Sequence, residues 1–266
     1  VRIRWIAKIA AVVFIAIYIT LYLFEPFSDV WNSIFSNSLV VIASSFTASV
    51  ATMIWAHYDK ADPPRRIWRY FAIGLWLWAA AELIWGYLNV TQGEVPEGIA
   101  DVFWVAAYIL FAYALFLQYR LLAQPGKQEL LSRVSVVVVS LLVIYILFYR
   151  LLITWGEGEG GFGTAVNSFY PVADLFLAGV AIWLVRNFSG GAFARPWLGL
   201  LAFTVADILY VWIEISGIYS WSVDNDNLWS TIFDITYVGA YLVLGLGILS
   251  QWVFLKYGLR SPTPEQ

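Results

Sequence analysis

Asp101–Leu122 reads DVFWVAAYILFAYALFLQYRLL, with 18 uncharged residues lying between Asp101 and Arg120. A helix needs about 20 apolar residues, at ~1.5 Å each, to cross a hydrocarbon layer about 30 Å thick. The stretch is long enough to cross, carries an acid at one end and a base at the other, and offers water no polar face between them. Working outward, the same kind of run recurs along the chain. Spans are predicted over about 5–24, 38–57, 67–89, 101–122, 134–155, 166–186, 196–218 and 228–255. The expected fold is an all-α polytopic transmembrane helical bundle of eight spans, forming a single integral membrane domain over residues 1–266.

Composition supports this reading. Hydrophobic residues make up 61% of the chain and charged ones 12%, against about 45–50% and about 25% in soluble domains. With a mean hydropathy of +0.75, the chain lacks the charged shell a water-soluble fold of this size requires. Residues 1–24 also resemble a signal peptide in their basic start at Arg2, Arg4 and Lys8. Their apolar run ends in Leu23-Phe24-Glu25-Pro26 without a small-residue cleavage site, so a retained first span is expected.

Charge placement gives the orientation. The segments on one side carry 14 of the 15 Lys and Arg, among them Arg4, Lys8, Lys60, Arg66, Arg120, Arg195 and Lys256. Loops on the other side hold Glu25, Asp29, Glu94, Glu97, Glu157, Glu159, Asp224 and Asp226 and no base. By the positive-inside rule the basic side faces the cytoplasm, both termini included. Trp5, Trp31, Trp55, Trp68, Trp155, Trp197 and Trp229 fall near predicted span ends, where indole rings favour the headgroup zone.

Several functions are excluded. The net charge of -3 and its scatter give no surface for nucleic acid. Without cysteine there are no disulfides, zinc-thiolate sites or thioether haem. His57 is the only histidine, so no bis-histidine haem site can form. No lysine lies mid-span in the last helix to take retinal. The Gly156–Gly163 run lacks the Lys-Ser/Thr ending of a phosphate loop, and Asp224–Asn227 lacks the closing Glu of a calcium loop. No catalytic constellation occurs at membrane depth, so an enzyme is not expected, no metal site is predicted and no cofactor is implied.

What remains are charges inside the membrane. An ionisable side chain at a helix centre costs at least about 2.5–3.5 kcal/mol, which makes each a candidate for function. The intramembrane acids are Glu82, Asp101, Asp174, Asp207, Glu214 and Asp234, with Arg150 the one basic residue among them. Counted from the acidic end, Glu82 lies about 10 Å deep, Asp174 about 12 Å and Asp207 about 16 Å. All belong to the outer half or its inner boundary, and they are expected to converge on one acidic, water-reachable cavity. Tyr210 shares a face with Asp207 and Glu214; Tyr108 with Asp101; Tyr237 with Asp234. Such a lining suits an amphipathic, cationic or aromatic ligand. The alternative is that the acids serve only as glue between helices, with Arg150–Asp174 as a clamp.

The chain also resembles itself. Ala81-Glu82, Trp85, Gly93, Asp101, Trp104 and Tyr108 are echoed by Ala206-Asp207, Tyr210, Gly217, Asp234, Tyr237 and Tyr241. The copies lie four spans apart, as a parallel 4+4 duplication would place them.

Gly86, Gly93, Pro96, Ala100-Asp101 and Tyr108, followed by Tyr170-Pro171-x-x-Asp174, Asp207 and Asp234, resemble a multi-helix membrane sensor region. That region precedes diguanylate cyclase or histidine kinase domains in bacteria and archaea. The resemblance covers about residues 70–245; where the family has a Pro-Ser-x-Ala-Asp run, this chain reads Pro96-Glu97-Gly98-Ile99-Ala100-Asp101. It implies a sensory or ligand-binding membrane module whose acidic-aromatic cavity takes up a small molecule, lipid or ion. Its state would be read by a cytoplasmic or membrane partner protein, with enzymatic output carried elsewhere. Two other readings stand beside it: a non-catalytic accessory subunit of a photosynthetic or respiratory membrane complex, and a small cation- or proton-coupled transporter.

Overall fold

A computed structural model describes residues 2–93, 98–122, 162–188, 190–215 and 228–258. Among them there are seven α-helices and no strand: α1 (Arg2–Phe24), α2 (Asp29–His57), α3 (Pro63–Gln92), α4 (Ile99–Leu122), α5 (Phe162–Asn187), α6 (Arg195–Ile215) and α7 (Leu228–Tyr257). Six of these are long and apolar enough to cross a membrane, consistent with an integral membrane protein. The predicted span 134–155 lies outside the described residues.

Local chemistry sets the helix ends. α3 opens on Pro63 and Pro64, tolerated there because first-turn N–H groups have no helical partner. It closes at Gly93, whose φ of 80° puts it in the left-handed region and whose N–H donates to the Asn89 carbonyl at 3.0 Å. At the head of α4, the Gly98 N–H donates to Asp101 Oδ2 at 2.8 Å. Asp101 thus supplies the acidic half of a capping box.

Two elements depart from expectation. α2 starts at Asp29 instead of 38, because its first turns carry Asn32, Ser33 and Asn37, too polar for an apolar window. Asn32 folds back on the Phe27 backbone, accepting from its N–H at 3.2 Å and donating to its carbonyl at 2.9 Å, while Ser33 Oγ and Asn37 Nδ2 each donate to Asn89 Oδ1 of α3 at 3.2 Å. Gly86 makes room for this contact, since a Cβ there would sit 3.0 Å from Asn37 Cβ. α5 likewise starts early, at Phe162, so Pro171 lies inside the helix and not in its first turn. The proline removes one backbone hydrogen bond there.

The helices form a ring. α2 packs on α3, α3 on α4, α4 on α5, α5 on α6, α6 on α7, and α7 returns to α2; α1 lies outside, in the seam between α2 and α7. Backbones touch where α6 meets α7. A Cβ at Gly199 would lie 2.5 Å from Leu244 Cα, and one at Gly247 2.5 Å from the Arg195 carbonyl oxygen. Small residues at such crossings are the usual device of membrane helices, which gain little from hiding apolar surface already solvated by lipid. A polar tie joins α2 to α7, where Thr47 Oγ1 donates to the Tyr241 carbonyl at 2.9 Å.

Inside the ring the aromatic side chains are layered. Near the basic end, Trp68 and Trp197 meet across the centre at 6.2 Å between ring centroids, with Phe71 5.2 Å from Phe111. Both indoles are buried. They belong to the core and not to the headgroup belt expected of them, because α3 and α6 face each other across the ring. Trp5, Trp31 and Trp229 are exposed, as belt residues are. One layer further in, Trp78 packs 5.0 Å from both Tyr108 and Phe203. The outward faces are apolar: α1 buries only Tyr18 and exposes Trp5, Ile6, Ile9 and Val12, an arrangement suited to lipid and not to water.

Candidate functional site

The polar residues of the core come from facing helices and sit just above the aromatic layer. On α3, Glu82 is buried. Its Oε1 accepts hydrogen bonds from Tyr237 Oη and Tyr241 Oη of α7, each at 2.6 Å, and from Trp78 Nε1 at 3.2 Å. Trp78 lies one turn before Glu82 and Tyr241 one turn after Tyr237, so each pair shares a helix face. The two phenols lie 3.1 Å apart. One carboxylate thus receives three donors in a closed aromatic nest.

Tyr108 of α4 organises the second group. Its hydroxyl lies 2.6 Å from Asp174 Oδ1 of α5 and 2.7 Å from Asp207 Oδ2 of α6. Asp174 is 0% exposed and Asp207 9%. A phenol has one proton to donate, so among the described residues two buried carboxyls share a single donor, and the second contact needs a proton beyond that of Tyr108. Asp174 Oδ2, also buried, has no hydrogen-bond partner among the described residues. An oxygen of this kind is costly to leave bare.

The two groups adjoin. Trp78 touches Tyr108 through its ring while binding Glu82 through its N–H, and Glu82 lies within electrostatic range of Asp207. Phe203 fills the space between them, 5.0 Å from Trp78 and 5.0 Å from Tyr241. The tyrosine of each sequence stripe reaches across to the acid of the other: Tyr108, following Asp101, meets Asp207, and Tyr241, following Asp234, meets Glu82.

The remaining predicted residues lie nearer the acidic end. Asp101 accepts from Tyr170 Oη at 2.6 Å as well as capping α4. Asp234 accepts from Tyr22 Oη of α1 at 2.5 Å, away from Asp174 and Asp207. Tyr210 stacks on Phe233 with centroids 4.7 Å apart. Glu214 belongs to α6 by backbone, but its side chain, like all of Arg150, lies outside the described residues. The predicted acids therefore enter the bundle interior as separate carboxyl–tyrosine groups, of which the Glu82 and Asp174–Asp207 groups adjoin.

Sequence reasoning missed Trp78 and Tyr22 as partners and named Tyr241 only in the repeat. A spacing signal existed for Trp78, four residues before Glu82; none existed for Tyr22, which pairs across 212 positions. Among the described residues no group of three or more His, Cys, Asp or Glu is gathered to hold a metal ion. What the arrangement can do chemically is keep a proton or a single positive charge between two carboxyls and a phenol. Comparison with family models, curated proteins and solved structures finds no match for this chain.

Proposed function

We propose that this protein is a membrane-embedded sensory module whose ligand is a proton, or a monovalent cation replacing it, held by Tyr108, Asp174 and Asp207. The observation that carries the reading is the shortage of donors among the described residues: two buried carboxyls share one phenol, and Asp174 Oδ2 has no partner there. Positive charge closes that gap, and its loss leaves like charges facing each other on α5 and α6. Because Tyr108 ties α4 to both helices, occupancy biases their packing, and a cytoplasmic or membrane partner reads the change. Each state is stabilised only by the difference in its affinity for the ligand.

The proposed topology has eight spans, with the acidic end outside and both termini in the cytoplasm. The crossed pairing of Tyr108 with Asp207 and Tyr241 with Glu82 supports a parallel 4+4 duplication, since related halves exchange equivalent contacts. A second reading, an accessory subunit of a larger membrane complex, draws on α1, which buries a single side chain against its own chain and leaves a long apolar face for a neighbour. The transporter reading draws on the same acids.

The test is infrared spectroscopy of purified protein, following the carboxylic-acid band as pH is raised and as sodium or potassium is added. Asp174→Asn and Asp207→Asn should each abolish the titrating band and the cation response, while Glu82→Gln keeps them. A response that survives both Asp substitutions rejects the proposal.

A further inference from the structure

A second feature lies at the opposite end of the bundle, away from the carboxyl–tyrosine groups. Between α1, α6 and α7 there is a groove of about 570 Å³ lined by Arg4, Lys8 and Arg195 together with Leu198, Val243 and Leu246. That volume falls within the ~300–1,000 Å³ of small-molecule sites. No acid lines it.

Its parts are of two kinds. Arg4 and Lys8 are one turn apart on α1 and point along the same face, Lys8 with its ammonium 5.4 Å from the Trp5 ring centroid. Arg195 comes from the start of α6 and is held in place twice: its guanidinium donates to Ser250 Oγ of α7, and its carbonyl lies against Gly247. The apolar wall is turned outward, with Leu198 47% and Val243 50% exposed, so lipid chains reach it. Cations at the rim and an open hydrocarbon wall beneath them complement a ligand with an anionic head and an apolar tail.

We propose that this groove binds one anionic phospholipid from the leaflet at the basic end, its phosphate between Arg4, Lys8 and Arg195 and an acyl chain along Leu198, Val243 and Leu246. The lipid bridges α1 to the α6–α7 pair at the basic end, as the hydrogen bond from Tyr22 to Asp234 ties α1 to α7 at the acidic end. Basic pockets between membrane helices on the cytoplasmic side are suited to such headgroups. This inference is independent of the proton or cation site.

The experiment is native mass spectrometry of the detergent-solubilised full chain with phosphatidylglycerol or phosphatidylcholine added at equal concentration, and with inorganic phosphate alone. One phosphatidylglycerol per chain should be retained at least about ten-fold over phosphatidylcholine, whose headgroup has no net charge, in keeping with roughly a five-fold gain per Lys or Arg near an anionic lipid surface. Arg4→Gln with Lys8→Gln should lose most of that preference, and adding Arg195→Gln should weaken retention on the order of a hundred-fold. The α1 pair keeps the test meaningful if the Arg195 variant fails to fold, because both side chains stand at the outer edge of the bundle. Equal retention of the two lipids, or unchanged retention in the α1 pair, overturns the proposal. Retention of inorganic phosphate with no preference for the lipid overturns it too, marking a soluble-anion site.

Discussion

Glu82 and the Asp174–Asp207 pair occupy neighbouring positions in one core and are built from the same residue types, yet their donor counts are opposite. Around Glu82, three donors converge on one carboxylate oxygen. Around Tyr108, among the described residues, one donor serves two carboxyls and an oxygen is left bare. A buried acid with surplus donors is a fixed structural joint; a buried pair short of donors is poised to take up charge. Burial and residue type alone do not separate the two cases, and the count of protons available to each oxygen does.

The largest effect should come from breaking the satisfied side. Glu82→Leu removes the acceptor shared by Trp78, Tyr237 and Tyr241. Trp78 keeps Tyr237 at 3.3 Å and the phenols keep each other at 3.1 Å, so the three bonds to Glu82 are lost and one donor is stranded at ~1–3 kcal/mol. Thermal unfolding in detergent should show a loss of about 3 kcal/mol. Tyr108→Phe comes next: removing the only shared donor should cost about 2 kcal/mol and alter the pH and cation response in the infrared assay. Asp174→Asn has the opposite sign. Its amide supplies a permanent donor to a pair that has one phenol proton between two carboxyls, so stability should rise by about 1 kcal/mol while the response disappears. Tyr241→Phe leaves Glu82 two donors and should cost about 1 kcal/mol with the response intact. The smallest change is expected of Tyr22→Phe, at the edge between α1 and α7, at about 0.6 kcal/mol. A Tyr241→Phe loss larger than that of Tyr108→Phe would reverse the contrast.

The helices were legible in the sequence because a run such as Asp101–Leu122 has one physical solution in lipid. Their lengths were less so. The first turns of α2 read as loop because Asn32, Ser33 and Asn37 are polar; Asn32 is satisfied by the Phe27 backbone, and the position of Asn89 on α3 explains how Ser33 and Asn37 are held within the helix. Trp68 and Trp197 illustrate the same limit: nearness to a span end predicts a headgroup belt, but which way the ring points depends on the helix across the bundle. Glu82, Asp101, Asp174, Asp207 and Asp234 stood out as charges at membrane depth. What the sequence withheld was pairing, since Tyr108 joins positions 66 and 99 residues away and no local pattern specifies such partners.

The layer of Trp68, Phe71, Phe111 and Trp197 has one more consequence. It forms an aromatic floor beneath the carboxyls on the basic side, so the cation of the proposed reading, arriving at Asp174 and Asp207 from the acidic end, would meet a closed layer and leave the way it entered. Under the proposed reading no net current would flow, but the ion would still move through part of the electric field. With the pair about 12–16 Å into a layer about 30 Å thick, roughly half the drop is crossed, which amounts to about 1 kcal/mol per 100 mV. Occupancy would then shift about five-fold with each such change in voltage, and a receptor for charge becomes a gauge of membrane energisation.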